Sequence, residues 1–189
     1  MKKRETLRFG FAHIPNIITC FRIVGSLVLL FLPSFSTMFY ILYSLCGISD
    51  AVDGFIARRF KLTSVLGSRL DSIADLLFYA SMLTHVIPFL VPRVPKAVWY
   101  AVSALVLLRI LMYSLAAIRY RCFSSLHTYA NKATGIVLFC VPYLLLFANA
   151  TVVSWVACAA CAISSLEELL IHCRAKEYPA QAKSIFHVL

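Results

Sequence analysis

Acidic residues are scarce in this chain. Asp and Glu together number eight among 189 residues, against eighteen Lys and Arg. Glycine is also scarce, with six, and no low-complexity linker or internal repeat interrupts the sequence. These shortages exclude several classes. Soluble domains are about 45–50% apolar, whereas this chain is 61% hydrophobic with a mean hydropathy of +0.86. A formal charge of +10 would suit a nucleic-acid binder. Here, however, the basic residues flank apolar runs and form no single stripe, so nucleic acid is excluded as a partner and a membrane face is favoured. What is left is an all-α integral membrane protein with one domain.

Seven cysteines are scattered through the chain, and Cys158 and Cys161 form a CxxC with no second ligand pair near it in sequence. They read as small apolar helix residues with free thiols. The first apolar run has a basic start but carries Arg22 early and is followed by further spans, so it reads as a membrane helix and not as a secretory signal.

Six apolar spans are expected near 16–33, 38–58, 66–91, 96–119, 133–149 and 152–173, since about 20 residues cross ~30 Å of hydrocarbon. Pro33-Ser34, Pro92, Pro95 and Asn149 punctuate them, and the short fifth span contains Pro142. Together they make a six-helix transmembrane domain over 16–173. Before it, 1–15 is a basic amphipathic juxtamembrane segment, and after it 174–189 is a basic tail. With the N-terminus in the cytoplasm, fifteen of the eighteen basic residues fall at cytoplasmic ends. That puts both termini on the cytoplasmic side. The absence of a targeting extension points to a bacterial plasma membrane.

Half of the scarce acids stand in one stretch, DAVDGFIARRFKLTSVLGSRLDSIAD, from Asp50 to Asp75. An Asp at mid-helix in a bilayer costs roughly 2.5–3.5 kcal/mol, and four together repel one another. Divalent cations offset such a cluster, and carboxylates suit Mg²⁺ or Mn²⁺. Asp50 and Asp53 are spaced i, i+3, and Asp71 and Asp75 i, i+4, so each pair shares a helix face. Gly54 and Gly67 fall on the same faces, where a ligand can approach the backbone. With Arg58 nearby, the stretch reads as a site for a metal-bound diphosphate.

The pattern D-x2-D-G-x2-A-R-x8-G-x3-D-x3-D resembles the signature of the CDP-alcohol phosphatidyltransferases. Its fixed positions here are Asp50, Asp53, Gly54, Ala57, Arg58, Gly67, Asp71 and Asp75. The upstream Pro15-Asn16-x2-Thr19-x2-Arg22 resembles the start of that family's first membrane helix. The resemblance implies that a phosphatidyl group passes from CDP-diacylglycerol to an alcohol, with release of CMP. It further implies that Asp50, Asp53, Asp71 and Asp75 hold two Mg²⁺ or Mn²⁺ ions, and that Asp75 takes the proton from the attacking hydroxyl. Gly54, Arg58 and Ser64 become nucleotide and diphosphate contacts, joined by Asn16 and Thr19, while Gly67 lets the second helix approach. Members of this family are commonly homodimers.

Arg109 lies inside a span and is a functional candidate on that ground. With Arg119 and Lys132 it would form a basic pocket for an anionic, phosphorylated acceptor, which points to glycerol 3-phosphate, with serine or inositol phosphate as the alternative acceptor. Glu167 and Glu168 read as acids paired with neighbouring basic residues. A cation transporter would explain the buried carboxylates but not the spacing of Gly54, Ala57, Arg58 and Gly67. A membrane prenyltransferase would carry its Asp motifs farther apart in sequence.

Overall fold

The computed structural model describes the backbone at residues 14–60, 65–120 and 128–174. Side chains at 14–16, 55–60, 65–66, 68–69, 119–120 and 173–174 lie outside that description. So do most of the amphipathic segment expected at 1–15 and the tail from 175 onward. Six α-helices and no strand are found among the described residues: α1 (Ile14–Leu29), α2 (Thr37–Phe60), α3 (Val65–Leu90), α4 (Lys96–Tyr120), α5 (Tyr129–Phe147) and α6 (Ala150–Arg174). The all-α, six-helix expectation therefore holds. By length and composition, four segments can cross a membrane unaided: Leu70–Leu90, Lys96–Ile118, Tyr129–Phe147 and Ala150–His172. The apolar part of α1, Ile17–Leu29, is shorter, and α2 carries Asp50 and Asp53 in its second half.

The outward faces agree with a lipid surround. On α4, Val106, Leu107, Ile110, Leu111, Leu115 and Ile118 are all exposed. In water so continuous an apolar face would be a liability, whereas in hydrocarbon it is neutral. The protein is an integral membrane protein.

The described residues fall into two compact units, divided between Phe89 and Leu90. In the first, α1 packs along α2. Gly25 makes this possible, because a Cβ there would stand 2.7 Å from Cys46 Sγ and 3.5 Å from Leu42 Cδ1. Helix α3 is tied to α1 by polar contacts. Ser81 Oγ donates to the Ser26 carbonyl at 2.7 Å, and His85 Nε2 donates to the Leu29 carbonyl at 2.8 Å. His85 Nδ1 then accepts from the Ser34 hydroxyl at 2.8 Å, because a neutral imidazole has one donor and one acceptor. Helix α2 is tied to α3 by an aromatic stack, in which Tyr43 lies 5.6 Å from Phe39 and 4.9 Å from Phe78 between ring centroids.

The α1–α2 connection turns at Phe35, whose φ of 59° lies in the left-handed region. That conformation is unusual for a bulky residue. The ring is held by edge-on contacts with Phe39 and Phe89 at 5.9 and 4.8 Å.

In the second unit α6 packs against both α4 and α5. Val94, Val98 and Cys158 form one buried apolar cluster of this unit, with Trp99, Val102 and Leu105 against them. Helix α5 begins four residues before the expected 133 because Thr128 caps it: the Thr128 side chain accepts from the Asn131 backbone N–H at 3.2 Å.

Candidate active site

The first halves of α1 and α3 and the second half of α2 carry the residues that the sequence singled out. The i, i+3 pair on α2 and the i, i+4 pair on α3 face each other, and between them lies a side chain from α1, Arg22. Its guanidinium reaches all four acids. Nη1 pairs with Asp50 and stands 3.3 Å from Asp75 Oδ1, while Nη2 pairs with Asp71 and stands 3.6 Å from Asp53 Oδ2. Thr19, one turn before Arg22, donates its hydroxyl to Asp53 Oδ2 at 3.2 Å.

Burial gives the cluster a floor and a rim. The side chains of Arg22 and Asp53 are 1% and 5% exposed, whereas those of Asp50, Asp71 and Asp75 are 51%, 48% and 48% exposed. Three carboxylates are therefore open to an incoming ligand. Gly54 and Gly67 are half-buried beside them.

The donor set fits a hard divalent cation. One carboxylate oxygen from each of Asp50, Asp53 and Asp71 lies within 4.8 Å of the other two. Oxygens around an Mg²⁺ ion at 2.0–2.1 Å stand roughly 3–4 Å apart, so a small rotation of the half-exposed carboxylates would close the site. All the donors are oxygens, as Mg²⁺ and Mn²⁺ prefer.

Of the remaining expected contacts, Thr19 joins the cluster through Asp53. Asn16 and Arg58 are placed in the helical backbone of α1 and α2, but their side chains lie outside the described residues, as does that of Arg119 on α4. Ser64 lies outside the described residues altogether. In sequence Arg22 stands only as a charge early in the first span and as the last residue of the helix-start pattern Pro15-Asn16-x2-Thr19-x2-Arg22, with no role in the site. Four acids with no side-chain counter-ion assigned to them, beside an arginine placed early in an apolar span, were the signal that could have found it.

The second unit holds its own polar centre. Arg109 Nη1 donates to Glu168 Oε2 at 2.6 Å, and Nη2 donates to Asn131 Oδ1 at 2.9 Å and to Ser164 Oγ at 2.7 Å. Asn131 Nδ2 also donates to Glu168 Oε2 at 3.1 Å. Glu168 is fully buried. The network binds α4, α5 and α6 together, and it balances the charge of Arg109 within the unit. Lys132, next to Asn131, is exposed.

Comparison with known proteins agrees with this picture. The family model described as CDP-alcohol phosphatidyltransferase matches residues 12–166. The chain is similar to the chloroplastic CDP-diacylglycerol–glycerol-3-phosphate 3-phosphatidyltransferase 1 of Oryza sativa subsp. japonica, with 36% identity over 75 residues, covering 36% of this chain and 21% of the relative. It is similar to the CDP-diacylglycerol–glycerol-3-phosphate 3-phosphatidyltransferase of Blochmanniella floridana, with 35% identity over 78 residues, 35% of this chain and 38% of the relative. It is also similar to the CDP-diacylglycerol–inositol 3-phosphatidyltransferase 1 of Arabidopsis thaliana, with 37% identity over 75 residues, 39% of this chain and 33% of the relative. The chain thus spans well under half the length of these relatives. No solved structure matches it significantly. The family match takes in both the aspartate helices and the α1 residues that meet them, and the chain belongs to the CDP-alcohol phosphatidyltransferase family.

Proposed function

We propose that this protein transfers a phosphatidyl group from CDP-diacylglycerol to a small alcohol with release of CMP, and that the alcohol is glycerol 3-phosphate. The observation that carries the reading is the convergence of Asp50, Asp53, Asp71 and Asp75 on one open site in a chain of this family. Two Mg²⁺ or Mn²⁺ ions held by these four side chains would supply Lewis-acid neutralisation of the diphosphate. The rest falls to the chain. Asp75 is half-exposed on the rim and takes the proton from the acceptor hydroxyl, which its position allows even though a carboxylate is a weak base. Asp53, buried on the floor and held by Thr19, keeps the cluster aligned. Gly54 and Gly67 let the diphosphate come close to the helices. Arg58, Ser64 and Asn16 complete the nucleotide contacts.

Lys132 and Arg119 hold the anionic acceptor. Arg109, committed to Glu168, Asn131 and Ser164, supports them by fixing the start of α5. The excess of basic residues around the aspartate helices supports a cytoplasmic site with both termini on that side. We place the protein in a bacterial plasma membrane as a homodimer.

The test is an acceptor screen. Purified protein receives CDP-diacylglycerol, Mg²⁺ or Mn²⁺ and one alcohol at a time, and CMP release is measured. Release with glycerol 3-phosphate alone, lost in Asp75→Asn, is the expected result. The inositol name of the Arabidopsis relative favours a second reading, the same chemistry with another acceptor. Release with inositol, inositol phosphate or serine alone would replace the acceptor and keep the mechanism. No release with any alcohol from folded protein would overturn the activity.

A further inference from the structure

Arg22 is the only basic side chain in contact with the four aspartates among the described residues. The contact has a particular form. Nη1 joins Asp50 of α2 to Asp75 of α3, and Nη2 joins Asp53 of α2 to Asp71 of α3. Each nitrogen therefore bridges the two helices, which a planar fork can do and a point charge cannot. The charge does not balance, because one guanidinium faces four carboxylates. The seat is also incomplete, since Arg22 Nε is buried without a hydrogen-bond partner. Arg22 is enough to hold α2 and α3 in register and too little to satisfy the cluster.

A carboxylate lone pair that accepts from a guanidinium cannot at the same moment face a metal ion. We propose that Arg22 is a built-in competitor for the cation site, an internal counter-ion whose withdrawal from the carboxylates sets the protein's affinity for divalent metal. This rests on the reading of the four aspartates as a metal site. The ligand class is a hard divalent cation, and the residue acts on it through Asp50, Asp53, Asp71 and Asp75 without ligating it.

The test uses the full-length protein in detergent, titrated with Mn²⁺ alone. The signal of free Mn²⁺ in electron paramagnetic resonance reports binding, and thermal midpoints are taken with and without saturating Mn²⁺. Arg22→Gln is expected to bind Mn²⁺ about tenfold more tightly, because a unit charge at contact distance is removed from the site. It is also expected to melt lower than the wild type without Mn²⁺ and to gain more from it. Arg22→Lys keeps the charge and loses the fork, and its affinity is expected to fall between the two.

Unchanged or weaker Mn²⁺ affinity in folded Arg22→Gln would overturn the proposal. If Arg22→Gln folds only with Mn²⁺ present, the counter-ion role is supported. If it folds under neither condition, Arg22→Lys decides, and an affinity equal to the wild type overturns the proposal. The two readings separate cleanly. Loss of Mn²⁺ binding in Asp71→Asn, with equal affinity in wild type and Arg22→Gln, sinks the competitor alone. A wild type that binds no Mn²⁺ sinks the metal reading with it.

Discussion

Two arginines, Arg22 and Arg109, stand among the helices of the two units, and their surroundings differ in one respect that matters. Arg109 meets one buried carboxylate, Glu168, and its remaining partners are the neutral Asn131 and Ser164. Arg22 meets four carboxylates, three of them half-exposed. The first arrangement is balanced and largely buried. The second is overloaded with negative charge and open on one side. A balanced buried ion pair is an architectural element, whereas an unbalanced open one demands a ligand. The comparison shows where to look for chemistry in a chain whose acids are so few.

The largest effect expected from breaking this contrast is catalytic. Asp75→Asn should lower CMP release by about a hundred- to ten-thousandfold, the scale of a lost general base, while the thermal midpoint in detergent changes little. In the balanced unit the effect should be the reverse. Glu168→Ala leaves the part-buried guanidinium of Arg109 without its carboxylate and should cost about 3 kcal/mol of stability, the lower end for a broken buried pair. A large drop in thermal midpoint would register it. The double variant Arg109→Met/Glu168→Leu removes both charges and should recover most of the loss. If Glu168→Ala proved as stable as the wild type, the architectural role would be wrong.

A smaller effect is expected at the α1–α2 crossing. Gly25→Ala places a methyl group 2.7 Å from Cys46 Sγ, and overpacking of this kind costs about 1–3 kcal/mol. Gly25 is one turn from Arg22, and Cys46 one turn from Asp50, so activity should fall along with stability. Adding Cys46→Ala should restore both. The smallest effect sharpens the acceptor side. Lys132→Ala should raise the KM for glycerol 3-phosphate about two- to fivefold with little change in kcat, the scale of one exposed ion pair.

The helices were legible in the sequence because bilayer-length apolar runs and prolines announce themselves. The spans expected at 66–91 and 96–119 are α3 and α4 almost residue for residue. The first span ended early because the chain leaves the helix at Leu29 ahead of Pro33, which hydropathy over an apolar LLFL cannot register. Within the site, the aspartate spacing gave each helix face correctly, since i, i+3 and i, i+4 are local quantities. What spacing could not give was the partner across space. Arg22 lies 28 residues before Asp50 and 49 before Asp71, and Arg109 lies 59 before Glu168. In sequence Arg22 reads as part of a helix-start pattern and Arg109 as a pocket residue. Only the packing of separate helices reveals which acid neutralises which base.

The position of Arg22 in the chain also bears on biosynthesis. A charged residue carried to the middle of a bilayer costs roughly 2.5–3.5 kcal/mol, and a counter-charge close at hand lowers that cost. Arg22 is synthesised before all four aspartates, so α1 leaves the ribosome with the counter-charge already aboard. When α2 arrives, its acids find a partner in the helix that packs along it. The arginine on the floor of the site is thus placed to chaperone the assembly of the acids it later contacts, from inside the same molecule.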